Sequence, residues 1–336
     1  MSLELQNLET MNPKNVTRIE ELDVLRAILI FFVVFGHSQC CLDQVPLVRE
    51  LIYSFHMPAM FTLSGLVTAL SWKSEIWRKV GHSARRLLVP YLLFGLVLLP
   101  MWVVLWEGGG FPVFLQSWNN SLLHNRGLWY LPACFLLVCS FVLVAKGHIW
   151  LSEKGIALAG RPVVSWCISC LAVFLVVSAG YWLTHCDFLR SVLVYWFSFY
   201  AGVALAHGLF HSNILLLHAS PLRLLLLSLL MFVLWLGLAS VFVQQPHALV
   251  GNIIKPFSGL VAFLFLLHLS RLIRRIPGLA RIGESTLAIY CVEGVVGWRF
   301  FQMASPSNAG MAAFWSLMLM LVVHGARMVW RKGIGK

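Results

Sequence analysis

The sequence is short of charge: Asp, Glu, Lys and Arg make up 11% of its 336 residues, whereas hydrophobic residues make up 60%. A soluble domain carries about 25% charged residues, because its surface must face water. The mean hydropathy of +0.83 points the same way. This composition excludes a soluble globular protein and indicates a chain whose outer surface faces lipid.

Several other features are missing. No basic segment precedes the first apolar run, so we expect that run to be a retained helix and not a cleaved signal. The chain has no low-complexity segment, no convincing internal repeat and no long polar connection. We therefore predict one transmembrane domain over residues 22–330, between a cytoplasmic amino-terminal tail over 1–21 and a cytoplasmic carboxy-terminal tail over 331–336.

The chain also lacks a metal-ligand pattern. Most of its eight cysteines lie inside apolar runs, where cysteine behaves as a small hydrophobic residue. Cys167 and Cys170 have CxxC spacing, but no second ligand pair accompanies them. We predict no metal site and no bound cofactor. The net charge of +12 comes from short Lys and Arg clusters between apolar runs, which favours contacts with membrane lipid over a nucleic-acid partner.

Apolar runs dominate what is present, and many of them approach the length of about 20 residues that a helix needs to cross a bilayer. With the amino terminus inside, most Lys and Arg residues fall in alternate connections on the inner side. The sequence thus predicts an all-α, polytopic helical bundle with both termini in the cytoplasm. About ten spans are expected, at 22–39, 51–70, 87–106, 127–145, 166–183, 192–208, 222–243, 252–270, 279–297 and 310–329.

The first predicted span carries Arg26 and His37. Ionisable groups inside a span are costly and usually mark function. Eleven residues separate the two, which is about three helical turns, so they share a face about 16 Å apart along the axis. A cation near the cytoplasmic end suits an anionic ligand, and a histidine farther in suits proton transfer. The alternative is that Arg26 pairs with Asp23 and that His37 is a hydrogen-bonded core residue.

The order of motifs resembles that of acyltransferase family 3, membrane enzymes that acylate bacterial surface sugars. The first two motifs are specific in combination, and the resemblance extends from about residue 20 to about residue 295. The matching segments are Leu22-Asp23-x-Leu25-Arg26-Ala27 leading to Gly36-His37-Ser38, then Phe55–Gly65, Arg85–Tyr91, Leu128–Pro132 and Ile282–Tyr290.

The resemblance implies transfer of an acyl group, usually acetyl, from cytoplasmic acyl-CoA to a sugar hydroxyl of a surface or exported polysaccharide or its precursor. It also implies a bacterial inner-membrane location, with acetyl-CoA as co-substrate. Such a reaction needs a base for the alcohol proton, and His37 is the best candidate, with Arg26 gripping the donor. Members of the family often carry a histidine near the position of Glu293, and whether Glu293 substitutes for it is open.

The remaining candidates have weaker arguments and stated alternatives. Asp23, Ser38 and Glu293 are possible supporting residues, and His56 could orient His37 or hold an acceptor hydroxyl. A second group joins the candidates for substrate binding: Arg85 and Arg86 for donor phosphate, or only for topology, and Trp129 and Tyr130 for stacking on the acceptor sugar, or only for anchoring at the interface. Ser64-Gly65 is interpreted as a close-packing pair of small residues and not as a nucleophile.

Two competing hypotheses remain open at this level. One is a secondary transporter or flippase for an anionic solute, in which Arg26 and His37 would bind substrate and proton. Inverted repeats and paired broken helices are expected in a transporter, and the sequence shows no such halves. The other keeps the acyl transfer but changes the acceptor to a lipid, an antibiotic or an osmolyte amine.

Overall fold

The protein is described here by a computed structural model that covers residues 19–38, 42–43, 45–71, 76–123, 127–153, 162–211, 221–244 and 249–334. Within these ranges the chain is helical and contains no strand. Residues 1–18 of the predicted amino-terminal tail, and 335–336 of the predicted carboxy-terminal tail, lie outside them. The helices are α1 (Glu20–Gly36), α2 (Pro46–Tyr53), α3 (His56–Leu70), α4 (Ile76–Pro90), a π-helix (Tyr91–Leu98), α5 (Leu99–Glu107), α6 (Gly110–Leu123), α7 (Tyr130–Glu153), α8 (Pro162–Thr184), α9 (Asp187–His211), α10 (Pro221–Gln244), α11 (Leu249–Ile273), α12 (Leu279–Glu284), α13 (Thr286–Ala304) and α14 (Ala309–Ile334).

Eight stretches of the described chain are long and apolar enough to cross a bilayer. The prediction of an all-α polytopic bundle is therefore confirmed. These stretches are Pro46–Leu70, Val80–Glu107, Tyr130–Glu153, Val163–Thr184, Asp187–Ala206, Leu225–Gln244, Gly251–Ile273 and Ala309–Gly333. The other two predicted spans, 22–39 and 279–297, form α1 and the α12–α13 pair, which are shorter or less apolar.

Helix α1 lies in the interior of the bundle, which explains why it is short and carries charge. Eleven of its 17 residues are buried, among them Asp23. It packs against α3, α11, α13 and α14, and its aliphatic side chains form the middle of the main hydrophobic core. Because α1 is surrounded by protein, its polar groups can find partners that lipid would not offer.

Two of the helical stretches change course at a proline. Pro58, in the first turn of α3, has no N–H for the carbonyl of Ser54 and its ring crowds that carbonyl, so α2 cannot continue into α3 as one regular helix. Pro90 ends α4 in the same way, and the next eight residues form the π-helix Tyr91–Leu98. A third break lies at Ser285, between α12 and α13. These breaks expose backbone groups inside the bundle, where polar side chains can use them.

Glycines permit the closest helix crossings. A side chain on Gly65 of α3 would meet the backbone carbonyl of Phe199 on α9, and one on Gly202 would meet the carbonyl of Thr62. The backbones of α3 and α9 therefore touch directly, as predicted for the Ser64-Gly65 pair. Small residues at such crossings are the usual way for helices to pack within a membrane.

The two ends of the bundle differ in charge. At one end Arg274 pairs with Glu21 at 2.5 Å, and Arg331 lies 3.7 Å from Glu284. We call this the arginine-rich end, defined by Glu21, Arg274, Glu284 and Arg331. His37 lies at the opposite end of α1.

Candidate active site

His37 is the residue that ends α1. Its backbone N–H bonds to the carbonyls of Val33 and Val34, so it caps the helix in a helical conformation. The preceding Gly36 lies close to α2, where Tyr53 donates its hydroxyl to the Gly36 carbonyl at 3.3 Å. The imidazole remains 34% exposed. A substrate can therefore reach the ring although the helix itself is buried.

Glu293 of α13 is the partner of this imidazole. The distance between His37 Nδ1 and Glu293 Oε1 is 2.8 Å, across 256 positions of sequence. An ionised carboxylate only accepts hydrogen bonds, so Nδ1 carries the proton and donates it to Oε1. In the neutral ring Nε2 then has a free lone pair, which is the form of histidine that a general base requires.

The carboxylate is held in a closed environment. The Glu293 side chain is 3% exposed, and its second oxygen, Oε2, is buried without a hydrogen-bond partner among the residues that the structure describes. A buried carboxylate that lacks water binds its remaining partner strongly. Proton transfer to His37 would thus be favoured, because an imidazolium beside this carboxylate is neutralised.

Gly297 makes the room that Glu293 occupies. It lies one helical turn farther along α13, and a Cβ atom on it would come within 2.7 Å of Glu293 Oε1 and 3.0 Å of its Cγ. No larger residue fits there without moving the carboxylate. Sequence reasoning missed Gly297, although its i+4 spacing from a candidate carboxylate places both on one helix face.

His56 lies beside this pair, at the break between α2 and α3. Its ring is 2% exposed, and Nδ1 donates to the carbonyl of Ile52 at 2.7 Å. The other nitrogen, Nε2, faces α1: a Cβ atom on Gly36 would lie 3.9 Å from it. The structure therefore brings together His37, Glu293 and His56, from three separate parts of the sequence.

Arg26 does not belong to that group. It bonds to Asp23 one turn earlier, with 2.5 Å between its NH1 atom and Oδ1, and its side chain is 24% exposed. It is separated from His37 by about 16 Å along α1. The alternative stated for Arg26, an ion pair with Asp23, is the arrangement found. Both residues lie near the arginine-rich end, because the backbone of Gly283 on α12 packs directly against that of Asp23.

Ser38 is fully buried, and its hydroxyl donates to the carbonyl of Phe35 at 2.6 Å. It thus completes the carboxy-terminal turn of α1 behind His37. Arg85 and Arg86 are exposed on α4, and neither forms an ion pair or a hydrogen bond with any residue of the described ranges. Their guanidinium groups are therefore available to an anion.

Trp129 and Tyr130 pack inside the bundle. The Tyr130 hydroxyl lies 2.5 Å from Ser64 Oγ, and its ring is 4.9 Å from that of Phe61. Trp129 stacks on Tyr195, with 5.6 Å between ring centroids. The Tyr130 ring is 9% exposed and Trp129 is half-buried, so any stacking of a sugar would involve Trp129 first.

Comparison with known proteins agrees with this geometry. A family model described as an acyltransferase domain matches residues 19–326, which is nearly the whole chain. No curated protein and no solved structure matches the chain. The matched range includes the described helices from α1 into α14, and with them His37, His56 and Glu293. On this match the chain belongs to acyltransferase family 3 and is a membrane acyltransferase.

Proposed function

We propose that the protein is an O-acyltransferase that moves an acyl group, most simply acetyl, from acyl-CoA to a sugar hydroxyl. The observation that carries the proposal is the 2.8 Å contact between His37 Nδ1 and Glu293 Oε1. A histidine oriented by a buried carboxylate is the usual means of activating a hydroxyl for attack on an acyl group.

The reaction begins with proton transfer. His37 Nε2 takes the proton from the acceptor hydroxyl as its oxygen attacks the thioester carbonyl, and Glu293 stabilises the imidazolium that forms. The tetrahedral intermediate then collapses: the carbon–sulfur bond breaks, and the CoA sulfur leaves with the proton from Nε2. The products are the acyl ester and free CoA, and His37 returns to its neutral state.

His56 supports binding of the acceptor in this proposal. Its Nδ1 is committed to the Ile52 carbonyl, so Nε2 of the neutral ring can only accept a hydrogen bond. A neighbouring hydroxyl of the sugar can donate to it. Such a bond would fix the orientation of the reacting hydroxyl beside His37, which is worth a large part of the rate in bimolecular reactions.

Arg26 has a different role from His37. At about 16 Å along α1 it is too far from the imidazole to contact the same carbonyl group. We assign it to the donor, whose arm must pass the arginine-rich end if acyl-CoA enters from the cytoplasm. The proposal accordingly orients the arginine-rich end towards the cytoplasm of a bacterium, in the inner membrane, and the His37 end away from it.

The test uses purified protein in nanodiscs with labelled acetyl-CoA and extracted surface polysaccharide. Free CoA thiol and labelled polysaccharide should appear together. His37→Ala should reduce both by at least about a hundredfold, because general-base catalysis contributes about 10²–10⁴. His82→Ala, which removes an exposed histidine from α4, is the matched control and should have no effect. Turnover that survives His37→Ala unchanged would refute the mechanism.

The acceptor is tested in cells. Mass spectrometry of surface polysaccharide, with the wild-type chain and with His37→Ala, should show one acyl mass that only the wild type adds. A polysaccharide of identical mass in the two strains would exclude this acceptor. Labelled lipid or amine products in the same extracts would then identify the acceptor class.

A secondary transporter for an anionic solute is the second candidate. Discontinuous helices beside a binding site are common in transporters, and two of them, α2–α3 and α12–α13, pack against α1. A transporter would accumulate solute in liposomes without releasing CoA thiol. The acyltransferase proposal requires the opposite result: thiol release, with no dependence on a solute gradient.

A further inference from the structure

A pocket lies at the arginine-rich end, outside the His37 site. Its volume is about 320 Å³, and it is formed by the turn between α11 and α12 together with the first residue of α1. Three of its lining residues are arginines: Arg274, Arg275 and Arg281. Gly278, at φ +86°, closes the turn in a left-handed conformation that few other residues adopt.

The arginines of this pocket differ in their partners. Arg274 is held by Glu21, outside the pocket, at 2.5 Å. Arg275 and Arg281 are exposed, and neither has an ion pair or hydrogen bond within the described part of the chain. The lining carboxylate of Glu284 faces Arg331, at 3.7 Å. With Glu20 counted against them, the pocket still presents an excess of positive charge.

Its position relates the pocket to the reaction. Glu20 is the first residue of α1, and the neighbouring α12 packs on the same helix through Gly283 and Asp23. The pocket is thus at the start of the helix that carries Arg26 and ends at His37. A ligand with its anionic part in the pocket could extend along α1 past Arg26 towards His37.

We propose that this pocket binds the phosphate groups of the acyl donor's nucleotide, with Arg275 and Arg281 as the contacts. Guanidinium groups bind phosphate through paired hydrogen bonds, and two unpaired arginines side by side match a ligand with several phosphates. This inference rests on the proposed function for the identity of the donor. It adds a binding site distinct from Arg85 and Arg86 on α4.

The first experiment measures binding without catalysis. Adenosine 3′,5′-bisphosphate, a fragment of the CoA nucleotide, is titrated into the protein in phosphatidylcholine nanodiscs. The double variant Arg275→Ala/Arg281→Ala should weaken its binding about tenfold or more. His37→Ala should bind it as the wild type does, so that this test stands even if the proposed chemistry fails. Arg190→Ala, which removes an exposed arginine from α9, is the control for loss of charge alone.

The second experiment compares two donors that share one thioester. Acetyl-pantetheine lacks the nucleotide and its phosphates, so the double variant should raise KM for acetyl-CoA about tenfold or more and leave acetyl-pantetheine unaffected. The value of kcat should stay the same with both donors. An equal KM change for both donors would overturn the proposal.

Other sources of the anion are separated by the same variants. If the pocket binds an anionic lipid headgroup, the defect of the double variant will appear only in nanodiscs that contain phosphatidylglycerol, and bisphosphate affinity will not change. If Arg85→Ala/Arg86→Ala weakens bisphosphate binding and Arg275→Ala/Arg281→Ala does not, the nucleotide binds at α4. If the arginines act only in topology, a reporter fused after Lys336 will change sides in the double variant. Each of these results would refute the inference.

Discussion

Gly297→Ala is the most incisive single change that the structure offers. The added methyl group would lie 2.7 Å from Glu293 Oε1, 3.0 Å from Cγ and 3.1 Å from Cδ, all closer than ordinary contact. The carboxylate must turn away, and His37 loses its partner. A hydrogen bond to a charged group contributes about 1.5–3 kcal/mol, and each 1.36 kcal/mol is a factor of ten in rate. We therefore expect kcat to fall about 10- to 150-fold.

Stability should not fall with activity, which makes the change diagnostic. Alanine favours a helix over glycine by about 1 kcal/mol, so α13 itself is not weakened by the substitution. The assay is release of CoA thiol from acetyl-CoA, with the melting temperature measured on the same preparation. Gly237→Ala is the matched control, because a Cβ atom there meets nothing within 4 Å. A Gly297→Ala protein with wild-type kcat would refute the assignment of Glu293.

Three further changes test the architecture around the site. Gly65→Val should prevent the α3–α9 contact, and the protein should be recovered only as aggregate in size-exclusion chromatography; a monodisperse peak would contradict the close crossing. Tyr130→Phe removes the bond to Ser64 and should cost about 0.5–1.5 kcal/mol of stability, seen as a lower melting temperature. Asp23→Asn leaves Arg26 without its charge partner and should lower the melting temperature more than the loss of an exposed ion pair, which is worth about 0–1 kcal/mol.

The fold class could be predicted from the sequence because lipid imposes a simple requirement on composition and run length. The exceptions are informative. The first predicted span is the 17-residue α1, whose charged residues are tolerated because other helices, not lipid, surround it. Run length alone cannot distinguish a helix that faces lipid from one that is enclosed by protein. The break at Pro58 likewise depends on what surrounds it.

The candidate site could be predicted only in part. His37 was found because an imidazole at the end of an apolar helix is costly and therefore notable. Its partner could not be assigned, because 256 positions separate His37 from Glu293 and only the packing of α13 against α1 brings them together. Arg26 was expected to act with His37 on the basis of a shared helix face, but face and depth are separate coordinates. The depth separates the two, and Arg26 pairs with Asp23 instead.

The pair of His37 and Glu293 is tested most directly by a double-mutant cycle on single-turnover acyl transfer. In the wild-type background Glu293→Gln should reduce the rate about 10- to 100-fold, since it removes the charge that stabilises the imidazolium. In the His37→Ala background the same change should cost almost nothing, because residues that act as a unit are not additive. An equal loss in both backgrounds would mean that Glu293 acts independently of His37, and the proposed catalytic pair would be wrong.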